Sequence, residues 1–320
     1  MKNIKIAVLG ATGLVGQTML NVLRPYPNVT AYAPARHKGQ VIEGREIRPM
    51  DRAHLAYDHP DVCLLALDAP LSREWAPFLV GQGSVVVDNS SAYRQNPTVP
   101  LVVPEVNPED VDWHRGIVAN PNCSTIQAAV ALAPLMKWGI ERVLYHTYQA
   151  VSGAGKKGLA DYDNATCEAF PYPIRDNVLP QIDEFGEGDY TKEEIKMREE
   201  SRKILHAPRL AVSATCIRVP VRNCHTVAVS VWLQTSPSVD EVRAALAGTC
   251  RVVDDPATRL YPMPILADGK DEVLVGRVRA DPDDRRLYHF VTVADNLRKG
   301  AATNAVQIVE LLVKRGLLHE

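Results

Sequence analysis

The hydrophobic pattern of the first third of the chain alternates between strand and helix. Residues 4–9 are largely apolar and predict a buried strand, and a glycine-rich turn follows them. Apolar positions then recur at helical spacing, at Leu14, Val15, Met19, Val22 and Leu23. Further short apolar runs predict strands near 29–33, at 62–67 and at 84–87, with room between them for crossover connections. This order predicts a Rossmann-type parallel α/β sheet.

The pattern changes beyond about Tyr145, where longer runs alternate between apolar and polar residues. Residues 211–221 and 225–234 are two such runs, and the three-residue Arg-Asn-Cys connection between them predicts a β-hairpin. Antiparallel strands are therefore expected to dominate this part of the chain.

Two helices and a loop complete the predicted arrangement. Residues 191–205 are highly charged and predict a helix with Thr191 as its N-cap and two glutamates in its first turn. Residues 296–314 predict a last helix that packs back on the first domain. Residues 170–189, rich in Pro, Gly and Asp, predict an extended surface loop.

Composition narrows the class of protein. With 46% hydrophobic and 23% charged residues and a formal net charge of -2, the chain is an ordinary globular protein, and its 320 residues favour two domains. The basic clusters are only two or three residues long, which argues against a nucleic-acid arm, and the apolar stretches are too short for a membrane span. The N-terminus lacks a signal-peptide pattern, so we expect a cytoplasmic protein.

The six cysteines show neither a CxxC pair nor a histidine at metal-ligand spacing, so no metal site and no disulfide framework is expected. Each is by default a small buried hydrophobe. Cys123 differs, because it follows Pro121 and Asn122 directly and precedes an apolar helical stretch. The positive end of a helix favours the nucleophilic thiolate, which makes Cys123 the candidate nucleophile.

The turn after the first strand has the pattern GxxGxxG, with glycines at 10, 13 and 16. This spacing lets backbone N–H groups approach a pyrophosphate at the positive end of a helix. The predicted dinucleotide-binding residues are Gly10, Thr12, Gly13, Leu14, Val15 and Gly16. The alternative is that the glycines serve only close packing between helix and strand.

The end of the second predicted strand lacks the acidic residue that accepts from the ribose 2′-hydroxyl of NAD. Arg36, His37 and Lys38 stand there instead, and a basic cluster suits the 2′-phosphate of NADP. A solvated loop with incidental charge is the alternative. A covalent cysteine also needs a proton shuttle, and among nine histidines we choose His225. The residues alone therefore indicate a dinucleotide-dependent enzyme with a candidate nucleophile.

Several stretches together resemble the aspartate-β-semialdehyde dehydrogenase family over nearly the whole chain. They are, in order, GATGLVG (10–16), DNSSAYR (88–94), VPEVN (103–107), ANPNCSTIQ (119–127), TYQAVSGAG (147–155), NVLPQID (177–183), YTKEEIKMREESRKI (190–204), SATCIRVPV (213–221) and NLRKGAATNAVQI (296–308). Independent motifs in the right order make this resemblance far more specific than a glycine turn.

The resemblance implies a role for each residue of the reaction centre. Cys123 would be the acylated nucleophile and His225 the general acid and base, while Gln149 would orient the substrate or the thioester. Arg218 would bind the substrate α-carboxylate through a bidentate pair, and Glu193 would pair with the substrate ammonium.

The resemblance also implies contacts to phosphate and cofactor. Lys196 and Arg94 would hold the phosphate, and Asn122 would belong to the substrate site. Cofactor contacts carry over to the glycine turn and to Arg36, Lys38, Ser152, Gly153 and Asn296. Without the resemblance, the simpler interpretation of Glu193 and Lys196 is one exposed ion pair across a helical turn.

The implied activity is the reversible, NADPH-dependent reductive dephosphorylation of L-4-aspartyl phosphate to L-aspartate 4-semialdehyde. This reaction would serve the biosynthesis of threonine, of methionine, and of lysine through diaminopimelate. The implied organisation is an NADP-binding domain at 1–122, completed by 296–320, and an α+β catalytic and dimerisation domain at 123–295. A homodimer or a tetramer is expected, with small-molecule substrates and without a nucleic-acid or membrane partner.

Two departures from the family pattern and three rival functions stay open. The family commonly has Gly-His-Ser where this chain has Cys224, His225 and Thr226, and a serine where it has His37. N-acetyl-γ-glutamyl-phosphate reductases, the first rival, usually carry Gly-Cys-Tyr around the nucleophile, whereas this chain has Asn-Cys-Ser. The second rival is an acyl-CoA-reducing relative. The third is a non-catalytic dinucleotide-binding homologue, which would be expected to lose the cysteine or the histidine.

Overall fold

A computed structural model describes residues 3–318, which form two compact units. The first unit consists of the residues up to Pro121 together with those from Ala301 onward. The second unit is Asn122–Gly300.

The regular elements alternate along the first unit and become longer in the second. The strands are β1 Ile6–Leu9, β2 Val29–Ala33, β3 Val41–Ile42, β4 Arg45–Pro49, β5 Val62–Leu65, β6 Val85–Asp88, β7 Ile117–Ala119, β8 Ile140–Gln149, β9 Ala211–Arg218, β10 His225–Leu233, β11 Arg251–Val252, β12 Leu274–Ala280 and β13 Leu287–Ala294. The α-helices are α1 Leu14–Val22, α2 Arg52–Asp58, α3 Ala69–Gly81, α4 Cys123–Leu132, α5 Gly155–Asn164, α6 Lys192–Ile204, α7 Val239–Leu246, α8 Pro264–Ala267 and α9 Thr303–Lys314.

The first unit is built on a sheet whose strands, among the described residues, run in the order β3-β4-β2-β1-β5-β6-β7. All of its pairings are parallel except that of β3 with β4. Leu9 at the end of β1 lies opposite Tyr32 of β2 and Leu65 of β5, so these three carboxyl ends share one edge. The strand order reverses at this edge, where open α/β sheets bind their ligands. The predicted Rossmann-type sheet is confirmed.

Helices cover both faces of this sheet. Val8 and Leu64 pack in one core with residues of α1 and α9, whereas Leu9 and Leu65 pack in a second core with residues of α2 and α3. Because successive strand residues point to opposite faces, a strand buried on both sides must be apolar throughout. This explains why the strands appear in the sequence as continuous apolar runs. The last helix belongs to the first unit, and it is preceded by a π-helical turn at Arg298–Ala302.

The second unit, all of it described, contains a sheet with the strand order β11-β12-β13-β10-β8-β9. The central pairings of β12, β13, β10 and β8 are antiparallel, and the two outer pairings are parallel. The prediction of largely antiparallel strands is confirmed. Gln149 lies opposite Arg218, and His225 lies opposite Ala294, so the ends of four strands meet at one edge.

The predicted hairpin of residues 211–221 and 225–234 is wrong. Both strands form, but β8 lies between them and pairs with each. The connection crosses the end of β8, where the N–H of Val219 donates to the carbonyl of Gln149 and the N–H of Ser152 donates to that of Arg222. Alternation predicted the strands correctly, yet it holds no information about which strands are neighbours.

The charged helix and the loop before it form as predicted. Thr191 caps α6 in a reciprocal capping box with Glu194. Residues 170–189 form isolated bridges and one short 3-10 turn, and several of their apolar side chains are buried. None of the helices within residues 3–318 is long and apolar enough to cross a membrane.

Candidate active site

Cys123 is the first residue of α4, as predicted. Asn122 is the N-cap, and its Oδ1 accepts from the N–H groups of Ser124 at 2.9 Å and Thr125 at 3.3 Å. This cap fixes the backbone on which the candidate nucleophile stands. It also takes up two of the N–H groups that a helix start would otherwise offer to an oxyanion.

The other cysteines lack the setting of Cys123. Burial raises the pKa of Cys63 to about 12, and burial together with nearby acidic groups raises the pKa values of Cys216 and Cys224. Cys250 is also buried, and Cys167 is exposed away from any helix start. Cys123 is therefore the cysteine with the surroundings of a nucleophile.

His225 is fully buried at the beginning of β10, and its ring is held in one tautomer. Its Nδ1 lies 3.0 Å from the backbone nitrogen of Ala150, whose N–H can only donate, so Nδ1 must be the accepting nitrogen. In the neutral ring the proton is then on Nε2, which is buried and has no hydrogen-bond partner among the described residues. Burial, and secondarily the charge of Arg218, hold the pKa of His225 well below its usual value. The ring therefore presents a neutral Nε2–H donor.

Gln127 links the nucleophile helix to the strand of His225. It stands four residues after Cys123, so both side chains lie on the same face of α4. Its Nε2 donates to the backbone carbonyl of His225 at 3.3 Å, and its Oε1 accepts from Thr292 at 3.1 Å. The face of α4 that carries Cys123 therefore faces the strand that carries His225.

Gln149 and Glu193 are bonded to each other at the edge of the second sheet. The Gln149 Nε2 donates to Glu193 Oε1 at 3.0 Å and to Thr147 Oγ1 at 3.3 Å. A carboxylate only accepts, so this bond sets the amide orientation and leaves Oε1 of Gln149 as an acceptor for a ligand.

Glu193 and Lys196 form a partly buried pair and not the exposed one of the simpler interpretation. The side chain of Glu193 is 5% exposed and that of Lys196 is 25% exposed. Burial opposes ionisation of Glu193, but the charge of Lys196 and the amides of Gln149 and Asn122 outweigh it and lower the pKa. Lys196 also donates to Asp183 of the 170–189 loop at 2.7 Å.

Arg218 is buried between the ends of β8 and β9. Its Nη1 donates to the carbonyl of Ala150 at 2.7 Å, its guanidinium lies over the ring of Phe170, and its Nε has no hydrogen-bond partner in the described structure. Burial lowers the pKa of Arg218, and the charges of Glu193 and Cys123 act against this. A buried guanidinium with an unused N–H is suited to a carboxylate ligand.

The three second-unit residues predicted to contact the cofactor lie beside His225. The amide of Asn296 and the hydroxyl of Ser152 are hydrogen-bonded at 3.0 Å. A Cβ on Gly153 would lie 2.8 Å from Nη1 of Arg218 and 3.2 Å from Nε2 of His225. Glycine at 153 therefore keeps the space beside His225 open.

One departure from the family pattern lies in the turn before His225. Cys224 has a φ of +73°, in the left-handed region that favours glycine, and it stands where the family commonly has glycine. Asn223 holds this turn by donating to Asp268 at 2.6 Å and to Asp295 at 3.0 Å. The ligand atoms of Cys224, Asp268 and Asp295 lie within 4.8 Å of one another, but Asp295 already accepts from three backbone N–H groups that close the surrounding loops.

The glycine turn of the first unit has the geometry that the motif requires. Gly10 has a φ of +82°, and a Cβ there would lie 2.3 Å from the carbonyl oxygen of Ala66. A Cβ on Gly16 would lie 2.3 Å from the carbonyl oxygen of Gly10. Gly13 is the N-cap of α1, and its nearest neighbour to a Cβ is 3.4 Å away. Two glycines therefore serve close packing, whereas the third leaves the helix start open at Leu14 and Val15.

The remaining predicted residues of the first unit lie at two places. Arg36 and Lys38 are exposed just after β2, at the edge where β1 and β5 also end. Arg94 is buried, and its guanidinium donates to the carbonyls of Asn89 and Asn120, each at 2.9 Å. Arg94 thus belongs to the first unit, whereas Lys196 belongs to the second.

Sequence reasoning missed three residues of the second unit that surround Cys123. They are Gln127, Glu200, whose carboxylate accepts from the N–H of Asn122, and Gly300, where a Cβ would lie 3.0 Å from that of Cys123. Each stands inside a stretch that carries the family resemblance, but nothing in a single sequence distinguishes them from ordinary core residues.

Comparisons with known proteins cover nearly the whole chain. Residues 5–114 match the semialdehyde dehydrogenase NAD binding domain, and residues 132–299 match the semialdehyde dehydrogenase dimerisation domain. The chain is 48% identical to aspartate-semialdehyde dehydrogenase of Aquifex aeolicus, with 98% of this chain and 99% of the relative covered, and 42% identical to that of Campylobacter jejuni, with 97% of each covered.

Solved structures show the same likeness. Aspartate semialdehyde dehydrogenase II from Vibrio cholerae, complexed with ASA, superposes with a TM-score of 0.92 at 40% identity, covering 98% of this chain and 99% of the other. The enzyme from Candida albicans with NADP has a TM-score of 0.78 at 28% identity, covering 98% and 99%. The chain belongs to the aspartate-semialdehyde dehydrogenase family.

Proposed function

We propose that this chain reduces L-4-aspartyl phosphate to L-aspartate 4-semialdehyde and phosphate, reversibly and with NADPH. The observation that carries the proposal is the buried cluster at one edge of the second sheet, which joins a helix-start cysteine to a neutral histidine donor, a buried arginine and a buried carboxylate. The relatives named above support the same activity.

In the first step the Cys123 thiolate attacks the acyl carbon of the substrate. A C–S bond forms and the C–O bond to phosphate breaks, so the electron pair leaves with inorganic phosphate and a thioester remains on Cys123. Lys196 and Arg94 would bind the leaving phosphate. The phosphate would compete with Asp183, from which Lys196 Nζ is 2.7 Å away.

In the second step the thioester carbon is reduced and its oxygen becomes an oxyanion. NADPH supplies the hydride when bound. The N–H groups of Ser124 and Thr125 are taken by the Asn122 cap, whereas the Nε2–H of His225 has no other partner in the described structure. We therefore assign stabilisation of the oxyanion to His225. Collapse then breaks the C–S bond, releases the aldehyde and regenerates the Cys123 thiolate, while His225 keeps its Nε2 proton throughout.

Substrate recognition follows from the charges around Cys123. Arg218 would bind the α-carboxylate, and Glu193 would pair with the ammonium, aided by Oε1 of Gln149 as an acceptor. Asn122 was predicted to bind substrate, but both ends of its amide are already bonded, so we propose that it positions Cys123 and Glu193 instead.

The residues of both units suit NADP. The glycine turn, from Gly10 through Thr12 to Gly16, would hold the pyrophosphate at the start of α1, which Gly13 leaves open. Arg36 and Lys38 would bind the 2′-phosphate. Ser152, Gly153 and Asn296 would contact the nicotinamide.

We assign NADP binding to residues 1–122 with 296–320, and catalysis and dimerisation to residues 123–295. The match of residues 132–299 to a dimerisation domain supports a homodimer or a dimer-based tetramer. The same proposal places the protein in the cytoplasm and its product in the biosynthesis of lysine, threonine and methionine.

One assay separates this function from its rivals. NADP reduction is followed with phosphate and aspartate semialdehyde, in parallel with N-acetylglutamate semialdehyde and with coenzyme A in place of phosphate. Turnover that requires phosphate and aspartate semialdehyde is expected. Activity only with another acyl acceptor or aldehyde would overturn the roles of Glu193, Lys196 and Arg218, and the absence of all activity would favour a non-catalytic homologue.

A further inference from the structure

Two buried carboxylates on α6 bind Asn122, the residue that directly precedes Cys123 in the sequence. Glu193 and Glu200 are seven residues apart, about two helical turns, and so lie on one face of the helix. Their exposed fractions are 4% and 0%. Glu200 Oε2 accepts from the backbone N–H of Asn122 at 2.6 Å, and Glu193 Oε1 accepts from its side-chain Nδ2 at 2.9 Å.

These bonds fix Asn122 at both its peptide and its side chain. The side-chain oxygen already caps the first turn of α4, so the carboxamide cannot rotate without losing bonds at either end. In the described structure, the peptide N–H of Asn122 donates to Glu200. A third contact, from Thr125 Oγ1 to Met197 Sδ at 3.4 Å, joins the same two helices.

We propose that Glu200 is a positioning residue for the Cys123 nucleophile. By holding the Asn122 peptide it sets the backbone direction at which Cys123 enters α4, and therefore where Sγ points relative to the substrate carbon. This inference rests on the proposed function, in which Cys123 is acylated. A displacement of about 1 Å at a reacting atom can lower the rate on the order of 100-fold. Loss of one hydrogen bond that positions Cys123 can therefore slow turnover strongly.

The test compares substitutions at Glu200 with one at its neighbour Glu199. Glu199 is partly exposed and pairs with Arg198 and Arg202, so Glu199→Gln is a matched control for loss of a carboxylate from α6. Glu200→Gln keeps an oxygen acceptor at the same reach. Glu200→Asp keeps the charge but shortens the side chain, and Glu200→Ala removes the acceptor.

Two readouts distinguish positioning from a merely structural role. We expect Glu200→Ala and Glu200→Asp to lower kcat by on the order of 100-fold with a much smaller change in KM for aspartate semialdehyde. The pH profile of Cys123 alkylation by iodoacetamide should shift in both variants. Glu200→Gln should recover most of the lost kcat, and Glu199→Gln should match the wild type in both measurements.

The outcomes that overturn the proposal are specific. If Glu200→Asp has wild-type kcat and a wild-type alkylation profile, Glu200 does not position Cys123. The Glu200 variants could instead lose activity only in proportion to the fraction of protein that no longer binds NADPH, with an unchanged alkylation profile. The role of Glu200 would then be structural, and the proposal fails. Cys123→Ser serves as a separate test, because retained turnover there would refute the nucleophile itself, whatever the Glu200 variants do.

Discussion

At the scale of single residues, one backbone hydrogen bond decides what His225 can do. Because Nδ1 accepts from Ala150, the neutral ring can donate from Nε2 but has no free lone pair with which to deprotonate Cys123. Thiolate formation at Cys123 must then depend on its helix start and on the nearby cation Arg218. Hydrogen-bond donation to the oxyanion therefore fits this geometry better than abstraction of a proton from Cys123.

His225→Leu should lower kcat by roughly 100- to 1,000-fold, because it removes the positioned Nε2–H donor from the oxyanion. NADPH binding, measured by fluorescence titration, should be retained, which separates chemistry from folding. Nitrogen NMR of the wild type should report a neutral ring with its proton on Nε2 at pH 7. A protonated imidazolium at that pH would contradict the assignment.

The same lowered pKa predicts how stability depends on pH. The unfolded chain protonates this histidine as pH falls through about 6.5, whereas buried His225 does not follow until a lower pH. The His225 contribution therefore destabilises the fold progressively below about pH 6.5. Denaturant unfolding at pH 7 and pH 5.5 should show a smaller loss of stability in His225→Gln than in the wild type, and equal losses would contradict this account.

Asp161 stabilises the segment that follows α5. Its buried carboxylate accepts from Thr166 and from the N–H groups of Glu168, Ala169 and Phe170. Burial alone would raise the pKa, but these bonds outweigh it and lower the pKa from 3.8 to about 2. This stabilisation is complete above about pH 4 and is lost as pH falls toward 2.

Asp161→Asn should therefore cost about 1–3 kcal/mol in the free energy of unfolding at pH 7, because the new NH₂ group faces backbone donors. Urea titrations of both proteins measure this difference directly. The gap between them should narrow below pH 4, and a gap that is independent of pH would refute the charge-based explanation.

Among the elements, the strand–turn–helix at the start of the chain leaves different amounts of space for a Cβ at each of its glycines. A Cβ at 16 would meet the carbonyl of Gly10 at 2.3 Å, whereas a Cβ at 13 meets nothing closer than 3.4 Å. Packing and cofactor approach can therefore be separated by substitution.

Gly16→Ala should lower the melting temperature and NADPH binding together, because β1 and α1 can no longer pack as they do. Gly13→Ala should melt like the wild type but bind NADPH more weakly, since the added methyl group stands at the open helix start. Differential scanning calorimetry and fluorescence titration give the two quantities. Wild-type NADPH affinity in Gly13→Ala would place the pyrophosphate elsewhere.

Helix starts and caps, which depend on residues close in sequence, could be predicted. The neighbours of each strand, which depend on residues far apart in sequence, could not. The Thr191 cap and the start of α4 at Cys123 depend on neighbouring residues, and both form where predicted. The supposed hairpin failed because β8, more than 60 residues earlier, takes the place between its strands. The hydrogen bond between Asn122 and Glu200 was not predicted for the same reason, because the two residues are 78 positions apart in sequence.

Across the whole molecule, one face of the second sheet is only partly covered by the described residues. Along β10 the buried positions alternate with half-exposed Thr226, Ala228, Ser230 and Trp232, and the neighbouring Tyr148 of β8 is 42% exposed. The dimerisation-domain match makes a second copy the natural cover for this face.

We expect light scattering after size-exclusion chromatography to give at least twice the mass of one chain. Ala228→Arg should shift the protein toward the monomer, because it places a charge at the centre of the partly covered face. Arg251→Glu, on the short strand at the sheet edge, is a control for surface charge. A wild-type monomer at micromolar concentration would contradict the dimer.

The most direct test of the whole account is the turnover of Cys123→Ala, measured as phosphate-dependent NADP reduction with aspartate semialdehyde and accompanied by NADPH titration. We expect turnover to fall to background while NADPH binding stays at the wild-type level, because the thioester cannot form although the fold is intact. Turnover within tenfold of the wild type would contradict covalent catalysis by Cys123, and with it the roles derived for His225 and Glu200.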